Sequence, residues 1–148
     1  MLIIKNLTKM MGARFCCFRA NPLTKATYKN TTEPIYNFTK AKVIKVYDGD
    51  TFWIAANNND DIFRYKVRLF GIDCPELRDK DPIAFAARDY VEDKLLDKIV
   101  DVDILTNRKV NNRLQKEKYG RLLAIVKYKG VNINKRLVEL GYAKEVKY

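Results

Sequence analysis

The 148 residues suffice for one domain with a genuine core, and 47% hydrophobic content suits a globular chain in water. Lysine and arginine number 29 against 18 acidic residues, a net charge of +11, so a polyanion such as nucleic acid is the natural electrostatic partner. Histidine is absent, which excludes Ser-His-Asp triads, Cys-His pairs and Cys₂His₂ zinc sites, leaving hydrolysis to carboxylates, arginines and a hard metal ion.

Residues 1–38 carry six Lys/Arg against the single acid Glu33, with Asn/Thr clusters and two prolines. No helical or strand period persists, so a basic, disordered extension ending near Tyr36–Phe38 is expected. Met11-Gly12 followed by Cys16-Cys17 would form a dual acylation signal only if Gly12 became the amino terminus. As numbered, Gly12 is internal. The adjacent cysteines and the lone Cys74 suggest neither a disulfide framework nor a C-x-x-C site. No apolar run approaches a membrane span of ~20 residues, and the first residues lack a secretory h-region. An intracellular monomer is expected, with membrane anchoring only through an acylated Gly12.

From residue 39 the pattern turns to strands, over 40–47, 50–56 and 62–71, with Asn57–Asp61 as the loop between the second and third. Pro82 opens a helix capped by Asp79 or Asp81. Its apolar stripe is Ile83, Ala87, Tyr90, Val91 and Leu95. A fourth strand spans 99–106, with Val100, Val102 and Ile104 on one face. The basic polar segment Asn107–Lys118 leads into a fifth strand, 122–128. A short helix over about 133–140 ends at Gly141. Five strands with two helices predict an α+β protein, mainly β, built on a small OB-type barrel over residues 39–148.

Three motifs punctuate these elements. Val46–Thr51 reads VYDGDT, Val67–Glu76 reads VRLFGIDCPE, and Glu117–Ala124 reads EKYGRLLA. Asp73 and Glu76 lie three residues apart beside Pro75, which restrains the backbone and sets where both carboxylates point. Like charges this close need a cation between them, and Arg68 or a bound metal would supply one. Asp50 and Asp73 offer hard oxygens suited to Ca²⁺. Arg68 and Arg121 can each place two N–H donors on phosphoryl oxygens, which a lysine cannot do in the same planar geometry.

In this order, D-G-D-T, R-x₄-D-C-P-E and K-Y-G-R, the chain resembles the staphylococcal nuclease-like (thermonuclease) family over about residues 39–144. The resemblance implies a calcium-dependent endonuclease that hydrolyses DNA and RNA, single-stranded or locally melted, and leaves 3′-phosphates. It implies Asp50, Asp73 and the carbonyl of Cys74 as metal ligands, with the Cys74 sulfur excluded as too soft for this metal. It implies Glu76 as general base for the attacking water, with Arg68 and Arg121 as the other catalytic residues. Lys118 and Tyr119 look like the substrate-side pair. Relative to the family pattern the terminal helix is missing after Tyr148, which also stands alone where an aromatic pair is usual. Weaker base stacking is therefore expected. The rival reading is a non-catalytic OB-type module that holds nucleic acid or a protein. Asp50, Asp73 and Glu76 count against it, because carboxylates repel phosphate.

Overall fold

The computed structural model describes residues 22–27, 29, 35–106, 109–110, 113–114 and 118–147. The chain divides into two units, Met1–Pro34 and Ile35–Tyr148. The first contributes a 3-10 turn, Pro22–Lys25; Met11, Gly12, Cys16 and Cys17 lie outside the described residues. The second unit holds the barrel, and Phe38 belongs to its core, stacked on Tyr65 with ring centroids 5.0 Å apart.

Alternation of buried and exposed residues builds the barrel wall. Strand β1 (Lys40–Val46) pairs with β2 (Thr51–Asn58), which pairs with β3 (Asp61–Leu69), all antiparallel. Phe52, Ile54 and Ala56 of β2 and Val67 and Leu69 of β3 point inward, meeting Val43 of β1. The β2–β3 turn is tighter than the expected five-residue loop. Asn57 and Asn58 belong to β2 and Asp61 to β3, so only Asn59 and Asp60 turn the chain. Both have positive φ, 56° and 71°. That is a two-residue primed turn, which Asn and Asp tolerate and whose twist matches the strands.

After β3 the chain turns at Gly71 (φ +77°) into the short strand β4 (Ile72–Asp73). Helix α1 (Pro82–Leu95) begins with Pro82 in its first turn, and Asp81 is the cap, its carboxylate accepting from Ile83 N at 2.8 Å. The buried line is Ala84, Ala87, Val91 and Leu95. Ile83 is 44% exposed, contrary to the expected stripe. Steps of four residues advance about 40° beyond a full turn, so a stripe through 83, 87, 91 and 95 winds off the contact face and Ala84 takes the place. Tyr90 is partly buried against Tyr142.

Strand β5 (Ile99–Ile104) buries Val100, Val102 and Ile104 and pairs with β1. The segment expected as one polar loop contains two two-residue strands, β6 (Lys109–Val110) and β7 (Arg113–Leu114), paired with each other. Strand β8 (Leu122–Tyr128) lies antiparallel to β5 and parallel to β3. This last pairing joins the ends of the wall, giving a closed five-stranded barrel of OB type in the order β3-β2-β1-β5-β8. Strand β9 (Val131–Asn132) extends the sheet and leads into α2 (Ile133–Glu139), capped by Asn132. Leu140 is the C-cap and Gly141 the residue after it. Gly141 N bonds Val138 O and Tyr142 N bonds Leu137 O, both at 2.9 Å, the double closure of a Schellman motif. Strand β10 (Lys144–Glu145) then pairs with β4. Among the described residues no helix is long and apolar enough to cross a membrane.

Candidate active site

The parallel seam explains how distant motifs meet. Val67 pairs with Leu122 and Arg68 with Leu123, so Arg121 enters its strand beside the one that carries Arg68. On the other side of β3, Arg68 pairs with Thr51, placing Asp50 within reach. The backbone tightens this junction, as Leu69 N donates to Asp50 O at 2.8 Å.

The D-G-D turn is pressed against the rest of the protein. A Cβ on Gly49 would lie 2.6 Å from Ala87 Cβ and 2.9 Å from Cys74 Sγ. The glycine therefore serves close packing of the turn against α1 and the Cys74 loop. Asp50 behind it is 2% exposed. Its Oδ1 accepts from Arg68 Nη1 at 2.9 Å and from Thr51 Oγ1 at 2.8 Å, and its Oδ2 accepts from Cys74 N at 3.0 Å. The second guanidinium nitrogen, Arg68 Nη2, bonds Asp73 Oδ1. One arginine thus neutralises two carboxylates from separate segments, and the planar fork is what permits both contacts.

Asp48, on the same turn, accepts from Asp50 N at 3.3 Å. Its carboxyl is pushed up to about 6 by burial first, then by the charge of Asp50. Burial also raises the Cys74 thiol, helped by Asp50, Asp48 and Asp73 and opposed by Arg68. At neutral pH the thiol is therefore protonated.

The remaining residues lie on other turns. Glu76 is largely exposed, with its Oε2 2.6 Å from Arg78 Nε. Tyr119 and Gly120 close a 3-10 turn, Lys118–Gly120, with Tyr119 in the left-handed region (φ +73°) and its side chain 90% exposed. Arg121 is half-buried, its Cζ 5.8 Å from the Tyr119 ring centroid. The Lys118 side chain lies outside the described residues. The structure thus brings Asp50, Arg68, Asp73 and Cys74 together, and sets Glu76, Tyr119 and Arg121 on surrounding turns.

Among the described residues no three His, Cys, Asp or Glu side chains gather as a metal-holding group. The donors present nevertheless fit a hard divalent cation. Asp50 and Asp73 supply hard carboxylate oxygens, the donor type such a cation takes.

Four residues escaped sequence reasoning. Thr51 and Asp48 flank Asp50 inside the recognised D-G-D-T motif, whose pattern could have marked them. Arg78 had only its nearness to Glu76. Buried Asn134 looked like an ordinary helix residue. Its Oδ1 accepts from Val126 N at 3.0 Å, while its Nδ2 donates to Phe70 O at 2.9 Å and to Ala124 O at 3.2 Å. It thereby ties α2 and β8 to the turn two residues beyond Arg68.

Two curated relatives resemble this chain. An uncharacterized protein of Methanocaldococcus jannaschii is 29% identical over 127 aligned positions, covering 70% of this chain and 57% of the relative. An uncharacterized endonuclease of Haemophilus influenzae is 34% identical over 102 positions, covering 69% of this chain and 49% of the relative. The chain spans about half the length of these relatives. The family model for staphylococcal nuclease homologues matches residues 66–148, from the cationic end of β3 through the seam and α2. With that match over more than half its length, on a closed OB-type barrel, the chain belongs to the staphylococcal nuclease homologue family.

Proposed function

We propose that the protein is a calcium-dependent endonuclease that hydrolyses the phosphodiester bonds of DNA and RNA, single-stranded or locally melted, and leaves 3′-phosphates. The observation that carries this reading is the guanidinium of Arg68 held by both Asp50 and Asp73. These contacts fix where the guanidinium lies, and exchange of a carboxylate for a phosphoryl oxygen would bring it onto the charge that grows in the transition state, an effect typically worth about 3 kcal/mol.

Asp50, Asp73 and the carbonyl of Cys74 would hold calcium, which when bound supplies a positive field at the phosphate. Glu76 takes the proton of the attacking water, for which its carboxylate must exchange Arg78 for water. Arg121 places its fork on the phosphoryl oxygens from the opposite side of the seam. Lys118 neutralises a neighbouring phosphate, and Tyr119 packs on sugar or base. The H. influenzae relative's designation as an endonuclease supports the reaction class.

The test is incubation of the full chain with single-stranded DNA and with RNA, in calcium and in chelator, with analysis of the product ends. Cleavage confined to calcium and 3′-phosphate ends are expected. Chelator-resistant cleavage would overturn the metal assignment. Binding without cleavage in calcium would leave a nucleic-acid-binding barrel instead.

A further inference from the structure

We propose that the outward wall of β1, β2 and β3 is a track for single-stranded nucleic acid, leading the strand to Arg68. The inference rests on the nuclease reading for what happens at the track's end, and extends it to a surface outside the catalytic residues.

Strand alternation that turns Val67 and Leu69 inward turns Arg64, Lys66 and Arg68 outward. Alternate residues of a strand stand about 7 Å apart, so these cations form an evenly stepped row ending at the catalytic arginine. Across the ladder Trp53 pairs with Lys66 and, on its other side, with Lys45. Tyr47 lies just beyond β1 and is 57% exposed.

Two of the basic side chains on this wall, Arg64 and Lys66, have aromatic partners. Arg64 Cζ lies 5.3 Å from the Trp53 ring centroid, and Lys66 Nζ lies 4.7 Å from Tyr47 and 6.0 Å from Trp53. Among the described residues, Lys45, Arg64 and Lys66 make no ion pair with a carboxylate. At the other end of β1 the exposed lysines are paired instead, Lys40 with Asp101 and Lys42 with Asp97, so the open positive charge of the wall lies on its Arg64–Lys66 side. Cations beside flat rings suit a ligand that brings both negative charge and π faces. Phosphates meet the cations, while bases stack on the indole, phenol or guanidinium planes. A duplex keeps its bases stacked internally, so the surface selects single strands.

Trp53 is the sole tryptophan of the chain, so its emission reports on this wall directly. In chelator, a twelve-residue oligothymidylate should quench Trp53 saturably. Arg64→Glu/Lys66→Glu should weaken its binding about tenfold or more and lower the salt slope by about two. The Arg64→Gln/Lys66→Gln pair, closer in size and checked by thermal melting, should weaken it in the same direction. Equal quenching by polyphosphate or by duplex DNA, or unchanged affinity in both double variants, would overturn the proposal. Because cleavage is not measured here, the two readings fail separately. A protein that cuts single strands in calcium but shows no quenching defeats the track alone. One that quenches but never cuts defeats the nuclease reading, leaving the wall as a binding surface.

Discussion

Asp50 and Tyr119 mark two halves of the site that are built differently. Asp50 is 2% exposed, with its carboxylate shared among Arg68, Thr51 and Cys74 N. Tyr119 is 90% exposed on a turn with left-handed backbone, next to Arg121. The first half is held by the barrel wall and the packing of Gly49, so the fold itself keeps it in place. The second half lies on turns at the surface, with Glu76 and Tyr119 exposed and Arg121 half-buried, so it depends less on the packing of the core. Substitutions in the first half should therefore disturb folding and catalysis together, and those in the second half catalysis alone.

The sharpest break comes from Arg68→Ala. It leaves the buried Asp50 carboxylate without its cation, a loss of about 3–5 kcal/mol of stability, and it removes the preorganised phosphate fork. Chemical denaturation should show the stability loss, with activity falling below detection. Arg68→Lys keeps the charge but loses the double contact, so kcat should fall by about 10² or more. Unchanged stability in Arg68→Ala would show that the cluster is not held as argued.

Glu76→Gln tests the other half. A lost general base lowers kcat by about 10²–10⁴, while the melting temperature and calcium-dependent nucleotide binding should persist because Glu76 is exposed. A stability loss comparable to that of Arg68→Ala would abolish the distinction. Arg121→Lys should lower kcat by about 10² with little effect on stability. Near-full activity in that variant, with activity lost in Lys118→Ala, would reverse the roles assigned along the K-Y-G-R segment.

The smallest effect concerns Asp48, whose folded carboxyl titrates at about 6, above its ordinary 3.8. A raised folded value favours the folded state most below pH 3.8, and that contribution is lost as pH rises through 6. In chelator, stability should therefore decline across this window by about 1 kcal/mol, reduced from the full shift by solvent screening. Asp48→Asn should flatten the decline, as measured by denaturant titration at pH 4, 5, 6 and 7.

Much of the wall was legible because β-strands announce themselves by alternation. Val100, Val102 and Ile104 face inward as their spacing predicts, and Gly141 stops α2 through the backbone freedom its position requires. The Asn57–Asp61 run was misjudged in length, because polar composition marks a turn while the strand register decides how many residues turn. Ile83 was misplaced for a related reason. Its hydrophobicity fits a helical stripe, and only the angle at which α1 meets the barrel selects Ala84 instead.

The three motifs, their order and their residue types were determined by the chain alone, since chemistry attaches to side-chain identity. Which groups touch was decided by the tertiary structure. The parallel pairing of β3 with β8 brings together segments more than fifty positions apart, and no local pattern encodes such a contact. Gly49 shows the same division at one atom. Its sequence context suggests a turn, but the need for glycine comes from Ala87 and Cys74, which reach it only when the barrel and α1 have packed.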